Sequence, residues 1–274
     1  MTEILHFAFC ILHSKRKLMT NAQTNYIYKY DGSFDGFLTA VFDIYENKKI
    51  AALLTASAEI QAALDAVVVE VITDGNKAAR VEKGIIKNIG RAGFAAVLRV
   101  FSACDAHKDA AIYNFLRLAF KHGYKTLEML GNADVVTYNE ILGRVNYECH
   151  RMRGFVRFRE TKSGVMYAPI RPDHDILEFI MPLFRDRFHI QKFAIYDVGR
   201  KKLGLYDGKT YEIGYMEDLP EVELTDDEMD LQRVWKIYYD AVSIESRKSE
   251  RRRKNFMPAR YWEFMTEITN DVDR

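Results

Sequence analysis

Cysteine is scarce in this chain. Cys10, Cys104 and Cys149 are the only three among 274 residues, and they are widely spaced. An odd, low count argues against a disulfide framework and fits a reducing cytoplasm; with no CxxC pair, a structural zinc site is not expected either. Long apolar runs are missing too. Ile4–Leu12 is apolar, but a bilayer span takes about 20 residues. Glu3 precedes that run and Lys15, Arg16 and Lys17 follow it, the reverse of a secretory signal's charge order. Neither sign of charge dominates. Forty Lys and Arg against 39 Asp and Glu leave a net charge of +1, so only local patches can speak for a nucleic-acid partner. The sequence contains no GxxxxGK[ST], HExxH or GxSxG, no glycine-rich phosphate loop, no internal repeat and no low-complexity linker. No motif asks for a cofactor or a metal, and none for a membrane.

What is there reads as an ordinary globular chain. Hydrophobic residues make up 48% and charged residues 29%, which excludes general disorder, collagen and a coiled-coil rod. The length suits one large domain or two coupled ones with a sizeable core. Tyr26–Tyr30 reads as a strand ended by the Asp31-Gly32 turn. Ser33 then caps a helix whose apolar positions are Phe34, Phe37, Leu38, Val41, Phe42 and Tyr45, spaced as an amphipathic stripe. Ala66–Thr73 is β-branched and reads as a strand. Helices are expected near 75–90, 93–103, 106–122 and 133–151, with a break at Gly90 and Gly93 and a terminal glycine at Gly123.

The texture changes near Arg153. Phe155–Glu160, Val165–Ile170, Lys192–Val198, Leu203–Tyr206 and Tyr211–Tyr215 are short strand-like runs separated by turn dipeptides. They suggest an antiparallel meander, interrupted by a helix at 175–188 that Pro182 kinks or restarts. Eight acidic residues and no Lys or Arg fill 217–230, where Thr225 and Glu228 form a T-x-x-E capping box. The following helix presents Leu231, Val234, Trp235, Tyr238 and Val242 on one face. The expected fold is α+β: a mainly helical half, 25–151, packed with an antiparallel sheet and closing helices, 152–274. The halves can share one core. Residues 1–24 read as an upstream extension or an over-long start outside the fold, Met19 lying just before the first well-patterned segment; a surface-packed helix is the other reading.

Three constellations can carry chemistry. Across 144–162, Arg144, Arg151, Arg153, Arg157, Arg159 and Lys162 face only Glu148 and Glu160. Alternation along a strand puts Arg157 and Arg159 on one face with Phe155, and arginine with an aromatic ring suits phosphate and base contact. A solvated face with its arginines ion-paired is the plain alternative. Cys149 and His150 are neighbours but point about 100° apart on a helix, so a core cysteine is expected rather than a nucleophilic dyad. Second, Asp173, His174 and Asp175 lie in a loop ahead of Arg187 and His189. His174 can serve as acid or base with Asp173 orienting it and Arg187 on a phosphate; helix capping by the aspartates and a backbone bond to His174 is the plain alternative. Convergence of His150, His174 and His189 on a metal has no support in the spacing. Third, 246–262 holds seven Lys or Arg against Glu250 alone, with Phe256, Tyr261 and Trp262 interleaved. Arg251, Arg252, Arg253, Lys254 and Arg260 then meet phosphates, and Tyr261 and Trp262 stack on bases. The acidic 217–230 stretch can compete as an intramolecular partner.

Several long segments, in order, resemble the DUF4130 family: YKYDGSFDGFLTAVFDIYE (28–46), ECHRMRGFVRFRE (148–160), PDHDILEFIMPLFRDRF (172–188), IYDVGR (195–200) and SIESRKSERRRKNFMPARYW (243–262). The resemblance runs from about Tyr26 to Thr266. It implies a bacterial DNA-metabolism protein, partner of a DNA-repair radical-SAM protein, in a family whose module is also found fused to a uracil-DNA-glycosylase-like domain. Neither a glycosylase motif nor the CxxxCxxC of a radical-SAM protein is present. The implied role is therefore accessory: DNA binding through Arg151, Arg153, Arg157, Arg159 and the 247–254 cluster. Two other readings stay open, an enzyme on nucleic acid or nucleotides using His174 and Asp173, and a module that docks the partner without touching DNA.

Overall fold

A computed structural model of the chain describes residues 26–48, 51–56, 66–217 and 222–269. The readings made for 1–24 lie outside the described residues. Mixed α and β structure is confirmed, with helices in the N-terminal half, a sheet in the C-terminal half and helices at the end. The described residues divide into two compact units: those up to Phe94 with Asp109–Glu128, and Ala95–Lys108 with those from Met129 onward.

In the first unit, β1 (Tyr26–Lys29) pairs in parallel with β2 (Ala51–Thr55) on one side and β3 (Val67–Glu70) on the other. Asp31 makes the turn after β1: its Oδ1 accepts the Ser33 N–H at 2.9 Å and the Ser33 hydroxyl at 2.6 Å. Ser33 Oγ in turn accepts the Gly36 N–H at 2.9 Å and starts α1 (Phe34–Glu46). That hydroxyl satisfies one of the orphan donors of a helix start. The face α1 buries comprises Phe37, Leu38, Val41 and Ile44. Phe42 and Tyr45, expected on it, lie at its border: Arg80 stacks on Phe42 and Tyr45 meets Phe120 edge-on.

The helix pattern after β3 forms α2 (Gly75–Phe101), broken at Gly90, whose φ of 75° and ψ of 173° interrupt the helical backbone. This glycine-only conformation produces the break expected there. α3 (Lys108–His122) follows, and Gly123 at φ 59° ends it. Tyr28, Phe37, Ile85, Ile112, Phe115 and Leu116 fill the core of this unit.

The second unit is built on α4 (Ala133–Phe155), started by Asn132, whose side-chain oxygen accepts the Asp134 and Val135 N–H groups. Next come β4 (Arg159–Glu160), β5 (Met166–Ile170), α5 (Leu177–Phe188), β6 (Phe193–Asp197), β7 (Lys202–Tyr206) and β8 (Tyr211–Tyr215). The sheet order is β4-β5-β6-β7-β8. Two expectations change here. The helix reaches Phe155 and β4 keeps only two of the six residues expected in that strand, so Arg157 lies between the elements. The β5–β6 ladder is parallel and the rest antiparallel, because α5 is a crossover and a strand–helix–strand path returns parallel. Pro182 does not break α5, which stays one helix. Its missing donor faces the carbonyl of Glu178, an exposed residue four positions back.

α5 packs its buried face, Leu177, Ile180, Met181 and Phe184, over the sheet. Gly204 of β7 makes room for it: a Cβ there would sit 2.6 Å from Met181 Sδ. Phe158, Phe184, Phe188, Phe193 and Tyr206 form a contiguous ring cluster. α6 (Asp226–Val242), α7 (Glu250–Phe256) and a 3₁₀ turn (Ala259–Phe264) complete the unit. Leu231, Val234, Tyr238 and Val242 of α6 are exposed.

Candidate nucleic-acid interface

The buried face of α4 runs Tyr138, Ile141, Val145, Glu148, Met152, a 3-4 spacing that places one carboxylate in an apolar stripe. A buried charge survives only when its oxygens are fully used. Glu148 is 4% exposed. Its Oε1 accepts the Tyr261 hydroxyl at 2.6 Å, the Asp173 N–H at 2.9 Å and Arg260 Nη2 at 3.1 Å. Its Oε2 accepts the His174 N–H at 2.8 Å. Burial pushes its pKa up, but those donors outweigh burial and hold it below the ordinary carboxylate range.

This carboxylate organises the Pro172–Asp175 loop, and the bonds around it occupy several of the candidates. Asp173 does not orient His174; its Oδ2 pairs with Arg260 at 2.6 Å. Arg200 donates to the carbonyls of Pro172 and Asp173 and to Asp197. Asp175 pairs with Lys202 at 2.9 Å. His174 Nδ1 accepts the Cys104 N–H at 3.1 Å, which leaves the proton of the neutral ring on Nε2. Burial lowers the His174 pKa, with Glu148 and Asp173 opposing that shift. The backbone bond foreseen for His174 is present, whereas helix capping by the aspartates is not: Ile176 occupies the N-cap of α5 without a side-chain bond. Arg187, at the far end of α5, has no part in this loop.

His150 and His189 are exposed, and no group of three ligating side chains able to hold a metal occurs among the described residues. Burial pushes the Cys149 thiol up to about 11, so it stays protonated at neutral pH and is a poor nucleophile.

The basic candidates separate into committed and uncommitted groups. Arg157 Nη2 pairs with Glu267 Oε1 at 2.6 Å. Arg159 Nη2 reaches the Phe264 carbonyl. Arg151 stacks 4.2 Å over Tyr147 and donates to the Asn255 carbonyl at 3.2 Å, tying α4 to α7. Arg260 is held by Glu148 and Asp173. Tyr261 is 3% exposed with its hydroxyl on Glu148, so it cannot stack on a base. Trp262 donates Nε1–H to the Met257 carbonyl at 3.0 Å, and Arg253 lies over its ring at 4.6 Å. Lys248 and Lys254 are paired within their own segment, to Glu245 and Glu250. Arg153, Arg247, Arg251, Arg252 and Arg253 make no ion pair with a carboxylate among the described residues, although Arg253 lies in the field of Glu250; the described part of the acidic stretch pairs with none of them.

Arg247, Arg252, Arg253 and the paired Lys248 line a cleft of roughly 870 Å³ with Tyr239, Phe256 and Met257; Asp240, Glu250 and Glu267 line it as well, the last two already paired with Lys254 and Arg157. Phe256 is 69% exposed. α7 that carries the arginines is started by Ser249, whose hydroxyl accepts the Arg252 N–H. Sequence reasoning missed Arg200 as the loop clamp and Glu148 as the organiser. The carboxylate on the α4 stripe was the available signal for the last.

Among the described residues no helix is long and apolar enough to cross a membrane. A search of curated proteins finds no match. The sequence model of DUF4130, a domain of unknown function, matches residues 106–267. That range holds Glu148, the Asp173–His174 loop, the arginines of α7 and Tyr261, while the 28–46 segment falls outside it. The match spans more than half of the chain, which therefore belongs to the DUF4130 family.

Proposed function

We propose that the protein is a nucleic-acid-binding accessory factor of bacterial DNA repair or metabolism that acts in the cytoplasm beside a radical-SAM partner. The partner and the DNA-repair context rest on the family resemblance. The observation that carries the binding reading is the cleft at α7: guanidinium groups at Arg247, Arg252 and Arg253 without a carboxylate ion pair among the described residues, with Arg251 beside the latter two on the same short helix and an exposed Phe256 at hand. Guanidinium groups without an internal carboxylate are free to exchange counterions for phosphates, and exposed rings tolerate any base.

In this reading Arg251, Arg252 and Arg253 neutralise phosphates, Arg153 extends the track, and Arg157, Arg159, Arg260 and Tyr261 hold the scaffold. Fluorescence anisotropy of labelled single-stranded, duplex and uracil-containing DNA, at two salt concentrations, tests it. Binding that weakens steeply with salt is expected. No binding even at low salt would overturn it and leave the partner-docking module as the better account. The enzyme reading gains nothing from the Asp173–Arg260 pair, which takes away the orienting carboxylate that reading assigned to His174.

A further inference from the structure

A second groove, of about 570 Å³, lies between the end of α4, the end of α5 and α6. We infer that it is a nucleotide site: a pocket that takes a planar base between Trp235 and the Phe158–Phe188 ring pair, with the attached phosphate on Arg153 and Arg187. The inference deepens the nucleic-acid reading, and rests on it only where the nucleotide belongs to a strand.

Four features of the groove converge on that chemistry. Its volume lies within the usual range for small-ligand sites. Its floor is aromatic: Phe158 and Phe188 sit 4.7 Å apart in an edge-to-face arrangement. Its wall is an indole held in place, because Trp235 Nε1–H donates to Glu267 at 3.3 Å, and Glu267 is itself fixed by Arg157 at 2.6 Å. Trp235 nevertheless remains 41% exposed, so its ring is positioned by a buried partner and still open to a ligand.

The polar groups supply direction. Gln232 donates its amide N–H to Glu228 Oε1 at 2.7 Å, and the other Glu228 oxygen accepts the Glu160 N–H at 3.1 Å. The amide is therefore pinned, and its carbonyl oxygen remains an acceptor for a base N–H. Arg153 and Arg187 stand on the same groove, each in the last turn of its helix. Neither has an ion-pair partner among the described residues. Of the other charges lining the groove, Arg157 is balanced by Glu267, while Glu228 is hydrogen-bonded only by neutral donors and keeps its negative charge. Two guanidinium groups against the one Glu228 carboxylate leave the groove with a net positive charge, carried at its helix ends by the exposed Arg153 and Arg187 and matched to an anion attached to an aromatic ligand.

The test uses the full chain and its two tryptophans, Trp235 and Trp262, whose indole N–H groups give two signals in a ¹⁵N-correlated NMR spectrum, assigned with Trp235→Phe. The probes are thymidine monophosphate, thymidine, inorganic phosphate and a single-stranded thymidine oligonucleotide. The monophosphate is expected to move the Trp235 signal, with thymidine and phosphate each binding at least tenfold more weakly. The double variant Arg153→Ala/Arg187→Ala changes exposed side chains only, and is expected to weaken the monophosphate at least tenfold. A response to the oligonucleotide alone identifies the ligand as a nucleotide within a strand and supports the site. No Trp235 response to any probe overturns it, as does a response that the double variant leaves unchanged, which points to an apolar occupant. Anisotropy of the same oligonucleotide separates the two levels. Binding without a Trp235 response removes the groove site and keeps the nucleic-acid reading; a Trp235 response to the monophosphate without oligonucleotide binding keeps the site and removes that reading.

Discussion

The Tyr261 hydroxyl donates to Glu148 Oε1 across 2.6 Å, joining positions 113 residues apart. That bond, with Arg260 beside it, fastens the C-terminal basic segment to the buried face of α4. It converts two residues of an apparently nucleic-acid-facing run into scaffold. Removing Glu148 leaves the Tyr261 hydroxyl and two loop N–H groups without their acceptor, and Arg260 with Asp173 alone. Glu148→Ala is expected to cost about 3–5 kcal/mol, read as a shift in the urea midpoint. Tyr261→Phe removes one hydrogen bond to a charged group and is expected to cost about 1.5–3 kcal/mol, with DNA affinity unchanged. A loss of DNA affinity in folded Tyr261→Phe would contradict its placement in the scaffold.

Acid is expected to loosen the same cluster. Hydrogen bonds lower the Glu148 pKa against burial, and Arg157 does the same for Glu267. A depressed carboxylate binds its proton more readily in the unfolded chain. Its contribution is thus complete above the ordinary glutamate value of about 4.3 and is lost as pH falls through the folded values. His174, lowered by burial, acts in the same direction from about pH 6.5 downward, since the unfolded chain takes up that proton first. Urea unfolding between pH 7 and pH 3 should show stability falling with pH, and Glu148→Gln should flatten the lower part of that curve. A stability that rises on acidification contradicts the assignment.

The Arg157–Glu267 pair supplies a contrast with the α7 arginines. Arg157→Ala leaves a largely buried carboxylate unpaired and unfastens Trp235, at an expected cost of about 3 kcal/mol. The salt slope of DNA binding should not change, because this guanidinium is already occupied. A flatter slope would mean that Arg157 meets phosphate after all.

Gly90 can be tested on its own. Its φ of 75° and ψ of 173° lie where only glycine is comfortable. Gly90→Ala is expected to cost about 2 kcal/mol. The added Cβ would also displace the Tyr124 hydroxyl, 2.3 Å away, but that ring is exposed and can swing aside. An unchanged denaturation midpoint would show that the break is not required at this residue.

Local chemistry was legible in the sequence where partners are close along the chain. Ser33 caps α1 as its neighbours suggest, and the Gly90 break falls between the two helical patterns. The Thr225–Glu228 box is half formed: Thr225 Oγ1 accepts the Glu228 N–H at 3.1 Å, but the Glu228 carboxylate turns to Glu160 and Gln232, partners that spacing cannot reveal. β2 is five residues, AALLT, too short for periodicity to separate strand from helix. The parallel β5–β6 ladder was implied by the helix between two strands, though an antiparallel meander was the reading of the turn dipeptides. The site was less legible for one physical reason. A basic side chain's role depends on whether a carboxylate from a distant segment reaches it, so Arg157, Arg260 and Arg251 look alike in sequence and differ in the fold.

The central claim is that the α7 arginines bind nucleic acid through phosphates. Its most direct test is the slope of log affinity against log salt, for the protein and for Arg251→Ala/Arg252→Ala/Arg253→Ala, on one duplex. Each lost phosphate contact should flatten the slope by about 0.9, so the triple variant should bind more weakly with a slope reduced by roughly 2–3. A folded triple variant with unchanged affinity and unchanged slope would contradict the claim.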